Sequence, residues 1–526
     1  MRKTFFFIVA VLTISAFTVP GLHAAASRSD VLVIGMSTND IVSLDPQVAF
    51  EFGSTGVDAQ IYDRLFDYLP DKYETAVPSV AESWKTSDDG KIWTFHIKKG
   101  IKFHSGNLLT ADDVVYSIQR LVGLNDQPAF ILTQFDITAD SVRAVDKHTV
   151  EITMGKKYAG GIFMACLASV ASSIVDSKEV MQHIANTDKY PKGDFGTTWL
   201  SRNSAGSGAF ILRKWEKGDK IILDANKDHF AHPPKVKRIV IKDITEAASR
   251  RLQVEKGDLD IAWNLTQDDI KSVKDNKDLV IKRYSDDKVY YLGMNVTKEG
   301  LKDNRVRTAV RYAIDYKTLT DDLLGGAARQ TGTFIPKGFA GYEDKIVYKK
   351  DLEKARGLMK EAGYADGLTL QMDHGNQTPY PELAQAIQNH LAQIGIKLTL
   401  NQMVSSQLWP KYRAQKHDLI LARWGPDYSD PHTNAQPFGD YKAKQLSWRN
   451  AYYNDVTSDL VKDASLEMDN DKRIAIYKKI NDILQKEGPY AFIMQTVYQH
   501  AVRKNVADFY PAAVLDKVKM WSIGKK

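Results

Sequence analysis

The stretch Trp84-Lys-Thr-Ser-Asp-Asp-Gly90-Lys-Ile-Trp-Thr-Phe-His-Ile-Lys-Lys-Gly100, continued by Ile101-Lys-Phe-His-Ser-Gly106 and Leu109-Thr-Ala-Asp-Asp-Val-Val-Tyr-Ser-Ile-Gln-Arg120, reads as strand, turn and helix in sequence. Ile92, Thr94 and His96 alternate with Trp93, Phe95 and Ile97, the period-2 mark of a strand with one face buried. Gly90, Gly100 and Gly106 punctuate it. Thr110 suits a helix cap, Asp112 and Asp113 place negative charge in the first turn, and Val114, Ile118 and Leu121 share one face.

Working back to the N-terminus, Arg2 and Lys3 precede an apolar run from Phe5 to Phe17, and small residues follow at Ala24, Ala25 and Ala26. A basic start, a short apolar core and an alanine-rich exit describe a secretory signal peptide over residues 1–26. The run falls short of the about 20 apolar residues that a membrane span needs. With no Cys near the exit, the expectation is a soluble protein in an oxidising compartment, most simply a bacterial periplasm. Cys166, the only Cys, lies in the apolar run Ile162-Phe-Met-Ala-Cys-Leu-Ala and reads as a core thiol. The remaining chain of about 500 residues exceeds a single core and should divide into two or three domains. Formal net charge is +6, reduced by two when Arg2 and Lys3 leave. The charges are interspersed without a basic block, which disfavours nucleic acid as a partner.

As a whole, the segment from Trp84 to Leu121 closely resembles the strand–turn–helix signature of the extracytoplasmic solute-binding proteins of peptide-type ABC importers, the dipeptide- and oligopeptide-binding family. That family usually carries an acid between the His and Gly of the loop, where this chain has Ser105. Ser204-Ala-Gly-Ser-Gly-Ala-Phe210 is a tight Gly turn running into a strand, whereas a phosphate loop needs a Lys-Ser/Thr pair at a helix start. It resembles the family's Gly-x-Gly-Pro-Tyr-like element, with Ala209 where Pro is usual.

Further elements follow in an order that is collinear with the family. Short strands are expected at Val31–Gly35, Lys220–Asp224 and Arg238–Lys242, and a helix at Ala247–Val254. A buried strand from Tyr290 precedes the helix Asn304–Asp315, whose face is Val306, Ala309, Val310 and Ala313. Its Arg305, Arg307 and Arg311 read as solvated or scaffold-paired rather than phosphate-binding. Asp351 caps a helix closed by Gly363, and the strand Leu368–Gln371, a helix from Pro381 to Gln393 and the strand Ile396–Leu400 form a parallel β-α-β unit. A strand at Asp418–Trp424, a helix capped by Asn470, and a strand from Tyr490 complete the pattern.

The resemblance implies an α/β, bilobal periplasmic-binding-protein fold (type II, cluster C) with an extra inserted domain. The expected division is 27–60 for the first part of lobe I, 61–205 for inserted domain II, 206–287 for the second part of lobe I, 288–495 for lobe III, and 496–526 for the C-terminal part of lobe I. The lobes would close over ligand about a two-strand hinge.

Arg423-Trp-Gly-Pro-Asp-Tyr-Ser-Asp-Pro431 directly follows a strand, where an α/β sheet presents loops to a crevice. In the family a Trp-x-x-Asp here supplies the acid that pairs with a peptide's α-ammonium, and the matching residues are Trp424 and Asp427. A carboxylate in a water-poor cleft makes a charge-assisted bond to an ammonium ion. Trp424 and Tyr428 are wall candidates, with Gly425 beside them, and Asp430 is expected to shape the loop. Dipeptide-binding relatives hold the ligand carboxylate with an Arg before the long helix, but Asp373-His-Gly-Asn-Gln-Thr-Pro-Tyr-Pro381 contains none. Arg413 and Arg423 are the substitute cations, and His374 a third group able to meet an anion.

The leading expectation is therefore a monomeric binding protein that captures a peptide or peptide-like solute and delivers it to an ABC permease with cytoplasmic ATPases, without cofactor or metal. One alternative keeps the transport role with a non-peptide solute: an opine, metal chelate, haem, glutathione or sugar. Another is a periplasmic hydrolase, which the loose Ser-x-x-Lys copies at Ser285–Lys288 and Ser522–Lys525 support poorly. His229 and His232 form His-x-x-His, without the third ligand that a metal site needs.

Overall fold

The computed structural model of the chain describes residues 30–512 and 517–526. The stretch read as a secretory signal lies outside the described residues. Ile92–Ile97 is the strand that the alternation predicts, with Trp93, Phe95 and Ile97 turned inward and His96 outward. It sits inside a four-stranded sheet ordered Ala81–Thr86, Ile92–Ile97, Thr149–Thr153, Val142–Asp146. Helix Ala111–Leu124 follows, and the Thr110 backbone N–H donates to Asp113 Oδ2 at 2.8 Å, which satisfies a donor the helix start would otherwise leave open. Val114, Ile118 and Leu121 pack with Trp93, Phe95, Phe135 and Phe163 into one apolar core. Each large side chain buried there contributes about 1.5–3 kcal/mol.

The signature loop ties this unit to the rest of the molecule. His104 N–H donates to Gly206 O at 2.8 Å, and His104 Nε2 lies 2.9 Å from Gly208 O. Both glycines are required by close approach: a Cβ would stand 2.1 Å from Ile61 O at position 206 and 2.5 Å from Ile61 C at position 208. Ser105 Oγ and Asn107 Nδ2 donate to Asp176 Oδ2 at 2.5 and 2.9 Å, so the acid that this loop lacks in sequence reaches it from another segment. From the helix, Arg120 forks onto Asp45 at 2.8 and 2.5 Å, with both side chains fully buried.

A second sheet spans the molecule with twelve strands. Along its path run Ile396–Met403, Leu368–Gly375, Leu419–Trp424, Val289–Met294, Tyr490–Arg503, Ile261–Ala262, Val31–Met36, Arg238–Asp243, Lys220–Ala225 and Phe210–Glu216. The expected β-α-β unit is present, with Leu368 parallel to Ile396 and helix Tyr380–Ala392 between the strands. The 14-residue strand Tyr490–Arg503 is shared by two halves. Its first part pairs with Val289–Met294, Tyr290 opposite Met494; its second pairs with Leu279–Ser285, Ser285 opposite Val497. The chain crosses between the halves at residues 285–289 and 495–497. Separate apolar cores lie on either side, one around Leu292, Val306, Ile387 and Leu421, the other around Ile34, Leu223, Ile241 and Met520. This is a bilobal α/β fold.

The arginine helix Asn304–Ala313 buries Val306, Ala309, Val310 and Ala313 as its pattern predicts. Arg307 donates to Leu301 O and Glu487 O, and Arg311 to Tyr490 O at 2.8 Å, so these cations cap carbonyls of the scaffold. Two local expectations are corrected. Asp469, not Asn470, caps helix Asn470–Lys486 by accepting from Asp471 N and Lys472 N at 3.0 Å. The strand from Leu368 continues through Gly375, so Asp373 and His374 are buried strand residues rather than loop residues, and Asp373 accepts from Lys411 Nζ at 2.8 Å.

Candidate functional site

The halves meet across a cleft. Ala159 N–H donates to Ser465 O at 2.7 Å, and Lys517 Nζ stands 4.8 Å from the centroid of the Phe339 ring. Gly161 comes so near Arg473 that a Cβ there would lie 2.6 Å from its Nη2. Between the halves is a cavity of about 320 Å³. Its walls come from Phe50, Phe52 and Thr55 at the start of helix Phe52–Ile61, from Tyr68, from Ala165 to Ala171, from the crossover residues Asp287 and Lys288, and from the loop after Leu419–Trp424.

That loop explains how a strand end becomes a site. Leu419–Trp424 is locked into the sheet by antiparallel pairing with Val289–Met294. The chain then leaves the sheet at Gly425-Pro426. Asp430 anchors the far end of the loop through a buried ion pair to Arg473 at 2.8 Å and by accepting from His432 N at 2.9 Å, the shaping role expected of it. Tyr428 is buried in the core that holds Phe163 and Leu167, so one half inserts an aromatic side chain into the other. With Tyr428 and Asp430 held, Asp427 is left to project into the cavity. Its backbone N–H donates to Thr433 Oγ1 at 3.0 Å, while among the described residues its carboxylate has no hydrogen-bond or ion-pair partner. The side chain is open to the water of the cavity but enclosed by protein beyond it. Enclosure first, and the nearby Asp287 carboxylate second, push its pKa up to about 6.

Positive charge faces the same space. Arg423 lines the cavity, its Nη1 3.3 Å from Tyr290 OH and its guanidinium 5.9 Å from the centroid of that ring. Lys288 sits between Asp286 Oδ1 at 3.1 Å and Asp287 Oδ1 at 3.4 Å, with its Nζ 3.9 Å from the centroid of Phe52. Burial pushes the Asp286 carboxyl up, against the pull of the Lys288 ammonium. Carboxylate, guanidinium, aromatic faces and small aliphatic groups around one enclosed space can hold a small zwitterion by its two ends and leave its middle in apolar contact.

Of the residues selected from sequence, Asp427, Tyr428, Gly425 and Arg423 line the cavity. Trp424, His374 and Arg413 do not. Trp424 follows Arg423 on an alternating strand, so it faces the opposite side and packs with Tyr291, Tyr412 and Ala422. His374 is buried within its strand, with Nδ1 2.8 Å from Gly375 O. Arg413 is exposed at the end of helix Ser405–Arg413. Sequence reasoning missed Phe50, Phe52, Tyr68, Asp287, Lys288 and Lys517. Only Asp286-Asp287-Lys288 carried a signal, a charged triplet between two apolar strands.

Other candidates resolve into structural roles. Cys166 is fully buried, and burial raises its thiol pKa well above the ordinary value. His229 Nδ1 accepts from His232 N at 2.8 Å and its Nε2 lies 3.2 Å from Asp63, while His232 stacks on Trp521 with centroids 4.0 Å apart. Among the described residues no group of three His, Cys, Asp or Glu side chains is placed to hold a metal ion.

Comparison with known proteins adds four findings. Residues 75–445 match the family model of the bacterial extracellular solute-binding proteins, family 5 Middle. The chain is 30% identical over 504 residues to the probable D,D-dipeptide-binding periplasmic protein DdpA of Escherichia coli (strain K12), covering 95% of each. It is 28% identical to di/tripeptide-binding protein 3 of Pseudomonas aeruginosa (strain UCBPP-PA14), covering 82% of this chain and 84% of that protein. Among solved structures, HbpA2 from Haemophilus parasuis shares the fold with a TM-score of 0.84 at 23% identity, covering 94% of this chain and 100% of that one.

Proposed function

We propose a peptide-capturing role from one premise: this chain belongs to the bacterial extracellular solute-binding proteins of family 5. In this reading the cleft closes on a short peptide outside the cytoplasm and the loaded protein delivers it to a membrane permease driven by ATPases. The N-terminal segment acts as a cleaved secretory signal. The two crossings near residues 285–289 and 495–497 support a division of the chain at 287/288 and 495/496, with the halves turning about that pair of strands.

The observation that carries the reading is the Asp427 carboxylate, unpaired among the described residues, in a cleft cavity that also presents Arg423. A carboxylate in a cleft, open to its water but with no cation beside it, is ready to pair with one, and the α-ammonium of a peptide is such a cation. Arg423 takes the place of the arginine that the segment 373–381 lacks, and supports a ligand with a free carboxylate. The cavity lies at the small end of the about 300–1,000 Å³ usual for small-molecule sites, which favours peptides of two residues or little more. The printed names of the relatives, a D,D-dipeptide binder and a di/tripeptide binder, agree in size class.

Calorimetry on ligand-stripped protein tests this directly. Dipeptides with both ends free should bind in the micromolar range or tighter, and N-acetylated counterparts at least tenfold more weakly. Equal affinity for free and acetylated peptides, or a non-peptide as the mass-spectrometric identity of the solute that co-purifies, would refute the reading.

A further inference from the structure

The cavity has a neighbour. A second space of about 380 Å³ lies against the same wall, bounded by Ser37, Asn39, Asp40, Trp263, Asn264 and Tyr498, and two residues line both spaces: Phe52 and Lys288. Phe52 is 48% exposed, the only phenylalanine among the described residues left so open. A single exposed apolar side chain is ordinary on a protein surface, but this ring stands where the two spaces of the cleft adjoin.

The backbone holds it there. Gly53 N–H donates to Asp40 Oδ2 at 2.9 Å, and a Cβ on Gly53 would lie 2.3 Å from Asp40 Oδ1 and 2.8 Å from Ile41 Cγ1. Val42 N–H donates to the buried Ser54 Oγ at 3.2 Å. The first turn of the helix is thus pressed against residues 40–42, and the ring of Phe52 projects from a fixed base. On its other side the Lys288 ammonium rests on the ring, itself pinned by Asp286 and Asp287 where the chain crosses between the halves.

We infer that Phe52, with Lys288 seated on it, is a partition that sets the length of the ligand. This rests on the proposed peptide-binding role and adds the residue that sets length. With the ring in place a ligand anchored at Asp427 ends against it; without the ring the two spaces join and the room available more than doubles. The second chamber sets Ser37, Asn39 and Asn264, side chains able to meet main-chain amides, beside the apolar faces of Trp263 and Tyr498, a mixture that suits further peptide.

The test is a length series, two to four residues with alanine at each added position, titrated calorimetrically into ligand-stripped wild type, Phe52→Ala and Phe52→Trp. Since residue 52 is half open to water, both variants should fold, which matching thermal midpoints without ligand would verify. The wild type should prefer dipeptides. Phe52→Ala should gain at least tenfold for tri- and tetrapeptides relative to dipeptides, and Phe52→Trp should keep or sharpen the dipeptide preference. Dipeptide binding by the wild type with the same length preference in Phe52→Ala would overturn the partition alone. A wild type that binds no peptide in the series would overturn the peptide reading and the partition with it.

Discussion

Asp427→Asn keeps the shape of the side chain and deletes its charge. Among the described residues the carboxylate has no hydrogen-bond or ion-pair partner, so the substitution strands no other group, and the ligand-free variant should fold at least as stably as wild type at pH 7.5. Its effect falls on the ligand ammonium. A hydrogen bond to a charged group contributes about 1.5–3 kcal/mol, which corresponds to about a 10- to 100-fold loss of affinity for free-amine peptides. The pH dependence sharpens the case. With a pKa of about 6 in the empty site, Asp427 is largely ionised at pH 7.5 and about 90% protonated at pH 5. Only the ionised form pairs with ammonium, so wild-type affinity should fall about tenfold from pH 7.5 to pH 5, with protons released on binding in the lower part of that range. Titration calorimetry at pH 5, 6 and 7.5, in buffers of different ionisation enthalpy, measures both. The Asn variant should be weak and nearly flat over the same range. Equal pH slopes in wild type and variant would assign the titration to another group, such as Asp286, and refute the reasoning about Asp427.

Arg423→Gln should weaken free-acid dipeptides about tenfold and leave their C-terminal amides unchanged, as read by the same calorimetry; a uniform loss would remove the carboxylate assignment. Asp58 is fully buried with neither carboxyl oxygen hydrogen-bonded, and burial first, then Asp45, raises its pKa well above the ordinary value. Because the folded state holds that proton more tightly than the unfolded chain, stability falls as pH rises above about 4. Denaturant unfolding at pH 5, 6 and 7 should show Asp58→Asn gaining on wild type as pH rises, and parallel profiles would contradict this. Arg120→Met strands Asp45 in the core and should cost about 3–5 kcal/mol, seen as a lowered urea midpoint; a loss below about 1 kcal/mol would mean that Asp45 finds another partner.

Much of the fold was legible because its elements announce themselves locally. The alternation at Ile92–Ile97, the capped helix after Thr110 and the strand–helix–strand from Leu368 each follow from residues within a few positions of one another. The errors came where a neighbour distant in sequence decides. The strand from Leu368 runs on through His374 because Ile396–Met403 continues to pair with it, and nothing in Asp373-His374 reports that. Trp424 was chosen by its place in a motif, but strand alternation turns it away from the space that Arg423 faces.

Period, caps and turn residues were enough to specify an α/β chain of several cores, since each depends on contacts within one element, while the loop bearing Asp427 stood out through its resemblance to the family's Trp-x-x-Asp motif. Which carboxylate stays unpaired, which cation faces it, and which aromatic ring closes the end of the cavity depend on segments far apart in the chain meeting at one wall. Phe52, Tyr68, Ala165, Lys288 and Asp427 share no local pattern; they become a site only when two strands carry one half of the molecule against the other.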